Sequence, residues 1–191
     1  MRLGLSRIAI SGTHCSGKST LVEAFLLDHP DYLHEPEAYE ALEDQFGEPF
    51  SAEPTSYDLF RQLEFHVQRL QQYKKGDCVI FERTIVDYVA YLQALEDLGG
   101  SVSDASLTDR SLELARENTR RVDAIVFLPL RGFYGEAPSD EDLKLRRRVD
   151  YRLQALLLDD ELDLFAGDGP TLIEATGTTQ QRLAIVDKFL D

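Results

Sequence analysis

The chain has 191 residues, 43% hydrophobic and 29% charged, and its 20 Lys and Arg against 35 Asp and Glu give a formal net charge of −15. That length fits one compact domain, or one domain carrying a small mobile flap, and the composition excludes disordered, collagen-like and fibrous classes. The acid excess repels polyanions, so neither nucleic acid nor an anionic membrane surface is an expected partner; a small phosphorylated ligand, gripped at short range by N–H groups and local cations, is not excluded.

The two cysteines, Cys15 and Cys78, lack the spacing of a zinc site and are too few for a disulfide framework. No apolar run approaches the roughly 20 residues of a membrane span, and no signal-type block precedes Ser11. A cytoplasmic location is the expectation.

In chain order, Ser6 to Ser11 reads as a short buried strand that stops at Gly12. A helix begins near Lys18, with Leu21, Val22, Phe25 and Leu26 at helical spacing, and ends at Asp28-His29-Pro30. A second strand is predicted around Tyr32 to His34, followed by Glu35-Pro36, and 47–54 reads as loop. Thr55 to Lys74 gives a long amphipathic helix with an apolar stripe (Phe60, Leu63, Val67, Leu70) and a polar one (Gln62, His66, Arg69, Tyr73). Cys78 to Phe81 is a compact apolar strand, and Tyr88, Tyr91, Leu92 and Leu95 mark the next helix, closed by Gly99-Gly100. A helical segment at about Ser106 to Thr119 leads to the clearest strand, Val122 to Leu128. Residues 131–142, rich in Gly, Pro, Asp and Glu, read as an exposed, mobile connection. A helix from about Asp140 to Leu157, a strand at Pro170 to Glu174 and a helix from Thr179 to Leu190 complete the chain. The alternation predicts an α/β fold: a parallel five-stranded sheet with helices on both faces.

Between the first strand and first helix stands Gly12-Thr13-His14-Cys15-Ser16-Gly17-Lys18-Ser19, which satisfies G-x-x-x-x-G-K-S/T. Strand, loop and helix together aim backbone N–H groups and a helix dipole at one anion. The two glycines permit backbone angles and close approach, Lys18 reaches β and γ phosphates, and Ser19 offers a hydroxyl to Mg²⁺. Residues 12–20, from Gly12 to Thr20, are therefore the expected ATP-binding segment; His14 and Cys15 occupy free positions and contribute only backbone. A guanine-reading N-K-x-D is absent, because the only Asn, Asn118, precedes Thr119. The D-x-x-G matches at Asp44 and Asp97 follow no apolar strand, which argues against a regulatory GTPase.

Further residues carry a family resemblance. Glu35-Pro36 after the second strand resembles the E-P of deoxynucleoside kinases, and Glu82-Arg83-Thr84 with Asp87 resembles their E-R-S segment, with Thr in place of Ser. Arg61-Gln62 resembles the F-Q of the helix that holds the base in that family, with Arg in place of the aromatic residue. The order of motifs also resembles nicotinamide-riboside kinase domains and single-domain AAA-type ATPase relatives. The resemblance implies a P-loop NTPase fold with a lid, here the segment of about 131–152, closing on one domain of residues 1–191.

It also implies roles. Lys18, Glu35, Arg83 and Arg147 are the expected catalytic residues, Glu35 as the base and Arg147 as the lid arginine opposite the Leu145, Val149, Leu153 stripe. Ser19 and Glu82 are expected at Mg²⁺, and Gln62, Arg83 and Asp87 at the acceptor. Gly177 and Arg182 could border the adenine. Competing readings make Glu35 a loop-capping residue, Glu82 and Arg83 a structural pair, Arg146, Arg147, Arg148 and Arg152 a solvated face paired with Asp142 and Asp150, and the Gln62 stripe simply exposed. The expected function is transfer of the γ-phosphate of ATP to a nucleoside, nucleotide or similar small alcohol; the alternative is a nucleotide-dependent regulatory ATPase without an acceptor. A homodimer stays open.

Overall fold

The computed structural model describes residues 6–47, 54–99, 104–131, 142–165 and 167–190. Five strands, β1 (Arg7–Ser11), β2 (Leu33–Glu35), β3 (Val79–Glu82), β4 (Ala124–Phe127) and β5 (Thr171–Glu174), form one sheet in the order β2-β3-β1-β4-β5. All pairings are parallel. The helices are α1 (Lys18–Asp28), α2 (Ala38–Phe46), α3 (Ser56–Leu70), α4 (Ile85–Asp97), α5 (Ala105–Asn118), α6 (Leu143–Leu157) and α7 (Thr179–Leu190). The predicted fold class is the observed one.

The register explains why short apolar runs suffice. Ala9 lies beside Phe81 and Ile125 and faces the core beneath α3 to α6, while Ile8 and Ile10, beside Ile80, Ala124 and Val126, face the core beneath α1 and α7. Strands buried on both faces need apolar residues at every position, so they lose the alternation of half-exposed strands. At β1 the chain crosses to β2 and β3 on one side and to β4 and β5 on the other. Such a reversal opens a crevice beyond the carboxyl end of the central strand, where the glycine-rich loop begins.

One helix was not anticipated: α2, directly after Glu35-Pro36-Glu37. Only Ala38 and Leu42 of its sequence are buried among residues with described side chains, too few to give a helical apolar stripe. Within the expected lid of 131–152, positions 132–141 lie outside the described residues, and 142–152 cover the start of α6 and its Asp142 cap. Helix α6 packs on α4, which is buried along most of its length between α3, α5 and α6. Among the described residues no helix is long and apolar enough to cross a membrane.

Candidate functional site

Helix α1 starts without a side-chain cap: Gly17, in the left-handed region at φ 88°, occupies the cap position, and no acidic residue stands in the first turn. Its first N–H groups, those of Lys18, Ser19 and Thr20, therefore lack both intrahelical acceptors and a competing carboxylate, the condition for anion binding. Gly12 is required by space, since a Cβ there would lie 2.5 Å from Ser16 Oγ and 3.0 Å from the Leu128 carbonyl oxygen.

The loop is braced from every side. Asp87 Oδ1 accepts the Gly12 N–H at 2.9 Å, and the Tyr91 hydroxyl accepts that of His14 at 3.0 Å. The carbonyls are held by cations: Lys18 Nζ donates to Thr13 O at 3.1 Å, Arg146 Nε to His14 O at 3.1 Å and Nη2 to Cys15 O at 3.0 Å, and Arg182 Nη1 to Ser16 O at 2.7 Å. Cys15 takes a φ of 52°, an angle unusual for a residue with a Cβ.

At the carboxyl end of β3, Glu82 Oε2 accepts the Ser19 hydroxyl at 2.8 Å, and its Oε1 lies 2.9 Å from His34 Nε2. The expected metal pair is thus in contact. Nearby, burial raises the Glu40 carboxyl; a bond from Tyr39 works against this, and the charges of Glu82 and Glu37 reinforce it. A hydroxyl and a carboxylate in acidic surroundings fit Mg²⁺, which binds few protein oxygens and keeps water or phosphate as its other ligands.

Arg83, the next residue, adopts φ 75°. Its backbone N–H still donates to Ile10 O at 2.9 Å, while its side chain donates from Nε to Glu37 Oε2 at 2.6 Å. The other oxygen of Glu37 is 3.1 Å from Lys18 Nζ. Lys18, Glu37 and Arg83 are all buried. Burial alone would raise the Glu37 carboxyl, but Arg83 and Lys18 outweigh it and hold the group at about 2. Burial likewise works against the Arg83 charge, and Glu37 more than offsets it.

This geometry corrects several sequence expectations. Glu35, the expected base, is turned the other way: its carboxylate is bound by the Arg69 guanidinium and the Tyr73 hydroxyl of the α3 end, and Arg69 Nη1 also donates to Pro36 O at 3.1 Å. The carboxylate at the phosphate loop is Glu37, two residues on. Its signal in the sequence was indirect: two cations bound for burial, Lys18 and Arg83, need a counter-charge. Asp87, expected at the acceptor, is fully buried and its oxygens are taken by the chain itself: Oδ2 accepts the Thr84 N–H and hydroxyl at 2.9 and 2.6 Å in a capping box, while Oδ1 braces Gly12. Arg147 is exposed, and Arg146, about 100° around the helix, reaches the loop. The reason is that α6 buries Arg146 and Asp150 along with Val149 and Leu153, which rotates its inward face away from Leu145.

Glu82 and Arg83 do not pair with each other, since each has its own partners. Arg148 and Arg152 share Asp97 at 2.6 and 2.5 Å, where Asp142 and Asp150 had been the expected partners. The polar stripe of α3 is not solvated: Gln62 and His66 are buried and Arg69 holds Glu35. Arg182 lies by the loop through its bond to Ser16 O, and Gly177, at φ 94°, precedes α7.

Comparison with known proteins agrees with this fold. The profile of the AAA domain family matches residues 7–164, and the chain belongs to that family. No curated protein matches it in sequence. Among solved structures, deoxyadenosine kinase from M. mycoides with bound dATP is 14% identical at a TM-score of 0.65, covering 95% of this chain and 97% of that one. Thymidylate kinase from Candida albicans is 16% identical at 0.63, covering 95% and 88%. NadR protein in complex with NR is 14% identical at 0.65, covering 99% of this chain and 51% of that one, so the chain spans about half the NadR length. The fold is that of P-loop nucleoside and nucleotide kinases.

Proposed function

We propose that this AAA-domain chain is an ATP-dependent phosphotransferase that moves the γ-phosphate of ATP to a hydroxyl of a nucleoside, nucleotide or similarly sized alcohol. The observation that carries the reading is Glu37, a buried carboxylate held between the loop lysine and Arg83 at the crevice. A second buried polar side, with Gln62, His66 and Arg83, supports an acceptor; slow hydrolysis in a switch module would have no use for it.

The residues divide the work. The N–H groups opening α1 bind the phosphates, and Lys18 neutralises charge that builds on the β–γ bridge as it breaks. Ser19 and Glu82 would hold Mg²⁺, directly or through water; when bound, the ion neutralises phosphate oxygens. Once Lys18 turns to the phosphates, Glu37 keeps only Arg83 as a cation, and its affinity for a proton rises. Glu37 then accepts the proton of the acceptor hydroxyl as that oxygen bonds to the γ-phosphorus and ADP departs. Arg83 keeps Glu37 oriented and offers its outer N–H groups to the phosphoryl oxygens. Arg146 and Arg182 keep the loop shaped. The cytoplasm suits two cysteines, Cys15 and Cys78, that form no disulfide.

The test is ADP release from ATP with and without a panel of nucleosides and nucleoside monophosphates. Strong dependence on one acceptor is the expected result. A slow rate indifferent to all of them overturns the kinase reading in favour of the switch.

A further inference from the structure

One face of α4 touches both the phosphate loop and the Glu37–Arg83 pair. Asp87 and Tyr91 stand four residues apart on that helix, so they share a face. Each accepts a backbone N–H of the loop, Asp87 Oδ1 that of Gly12 at 2.9 Å and the Tyr91 hydroxyl that of His14 at 3.0 Å. Each also meets Arg83: Asp87 Oδ1 lies 3.9 Å from Nη1, and the guanidinium carbon lies 5.1 Å from the centre of the Tyr91 ring. Arg83 is in turn held at Nε by Glu37, whose other oxygen meets Lys18. Contacts therefore run in a closed circuit from Lys18 through Glu37, Arg83 and Tyr91 back to the loop at His14.

The two residues of α4 differ in what else they do. Asp87 also closes the capping box at Thr84, so α4 needs it to begin. Tyr91 sits at 9% exposure, and a phenylalanine there would give the same packing and the same ring face to Arg83. The phenol adds one oxygen, and that oxygen is bonded to the loop. Its place matters because the next residue, Cys15, has φ 52°, and a side chain held at such an angle persists only where its surroundings fix it. Arg146 holds the peptides on either side of Cys15 by their carbonyls, and Tyr91 holds the peptide before them by its N–H.

We propose that Tyr91 is a positioning residue through which the Glu37–Arg83 pair sets the shape of the phosphate loop, so that affinity for nucleotide phosphate depends on where Arg83 stands. The two arrangements it links are Lys18 on Glu37, as in this structure, and Lys18 on a phosphate, which leaves Glu37 to Arg83 alone. Any group that draws on Arg83 then alters nucleotide affinity, and by reciprocity the nucleotide alters the affinity for that group. The proposal rests on the nucleotide-binding part of the proposed function and not on the identity of an acceptor.

The experiment measures nucleotide affinity on the full chain, by calorimetric titration with ADP and with a Mg²⁺-bound non-hydrolysable ATP analogue. Tyr91→Phe should weaken both by ~5-fold or more through the loss of one hydrogen bond to the loop, with a melting temperature close to that of the wild type. In an Arg83→Lys background, which keeps a charge beside Glu37 and removes the guanidinium from the ring, the same substitution should change affinity by no more than about twofold. A packing role predicts no loss for phenylalanine, and independent roles predict the same loss in both backgrounds; either result overturns the proposal. Amide hydrogen exchange of the wild type needs no variant: the His14 N–H should be protected in the free protein and slowed further by the ATP analogue, and fast exchange in the folded chain overturns the proposal as well. No acceptor enters these measurements. Nucleotide affinity unchanged in Tyr91→Phe overturns the role of Tyr91 and leaves the kinase reading standing, whereas the expected losses together with ADP release indifferent to every acceptor support that role and overturn the kinase reading. A wild-type protein that binds neither nucleotide overturns both.

Discussion

The two sides of the crevice are built differently. The nucleotide side is one contiguous loop, residues 12–19, whose chemistry lies in its own backbone and in Lys18 and Ser19. The proposed acceptor side is assembled from the turn after β2, the end of β3 and the inner face of α3, none of which would carry the chemistry alone. The difference is clearest in two carboxylates separated by one proline. Glu35 is tied back to Arg69 on α3 and to Tyr73 just beyond it, so it fastens the turn; Glu37 joins the loop lysine to Arg83. A proton acceptor has to reach the reacting atoms, and of these two carboxylates Glu37 is the one in contact with the loop lysine.

The comparison breaks first at Lys18. Lys18→Ala should lower turnover by ~10² or more, because a preorganised cation at the breaking bond is lost. Thermal unfolding should show a folded protein, although Glu37 then depends on Arg83 alone. Turnover within a few fold of wild type in that folded variant would remove the loop from the chemistry.

Exchanging the carboxylates sharpens the contrast. Glu37→Gln should lower acceptor phosphorylation by ~10² or more. It also leaves Lys18 and Arg83 as buried cations without a counter-charge, so the melting temperature should fall without ligand. ATP restores an anion to Lys18; the variant should therefore gain more thermal stability from ATP than the wild type does, and bind ATP no more weakly. Glu35→Gln should act on stability, with kcat within about tenfold, since it weakens the ion pair that holds the turn to α3. If instead Glu35→Gln abolishes turnover and Glu37→Gln does not, the assignment is reversed.

The loop was legible because its eight residues are adjacent and each has a local reason. The sheet was legible for a similar reason, as apolar runs buried on both faces need no knowledge of their partners. What the sequence hid is long-range. Arg83 meets Glu37 across 46 positions, Arg146 meets His14 across 132 and Arg182 meets Ser16 across 166. Local pattern selected Glu35 because Glu-Pro follows a strand, yet the extended residue before a proline can point either way from the sheet edge. The pattern on α6 failed by one position because a buried arginine and a buried aspartate do not register as an apolar stripe.

A smaller effect separates metal from base. Glu82 touches the Ser19 hydroxyl and Glu37 does not, so Glu82→Gln should raise the Mg²⁺ concentration for half-maximal activity several-fold, whereas the residual activity of Glu37→Gln should keep the wild-type Mg²⁺ dependence. Titrations of Mg²⁺ at fixed ATP distinguish them. The same half-saturation for both variants would mean that the two sides are not chemically separate.

The finest distinction lies between adjacent arginines. Arg146 spends its guanidinium on two loop carbonyls, at 3.1 and 3.0 Å, and so braces the loop; Arg147 is exposed. Losing two charge-assisted bonds at a partly buried site costs about 1.5–3 kcal/mol each at most, and part of that is recovered as water enters. Arg146→Ala should therefore lower kcat/KM for ATP by ~10-fold, corresponding to about 1.4 kcal/mol, with a larger change in KM for ATP than for the acceptor. Arg147→Ala should stay within twofold of wild type. Arg146→Lys should restore little, because one ammonium cannot span two carbonyls in the fixed fork that a guanidinium provides. Equal effects of Arg146→Ala and Arg147→Ala would show that α6 contributes diffuse positive charge, and that the loop holds its shape without it.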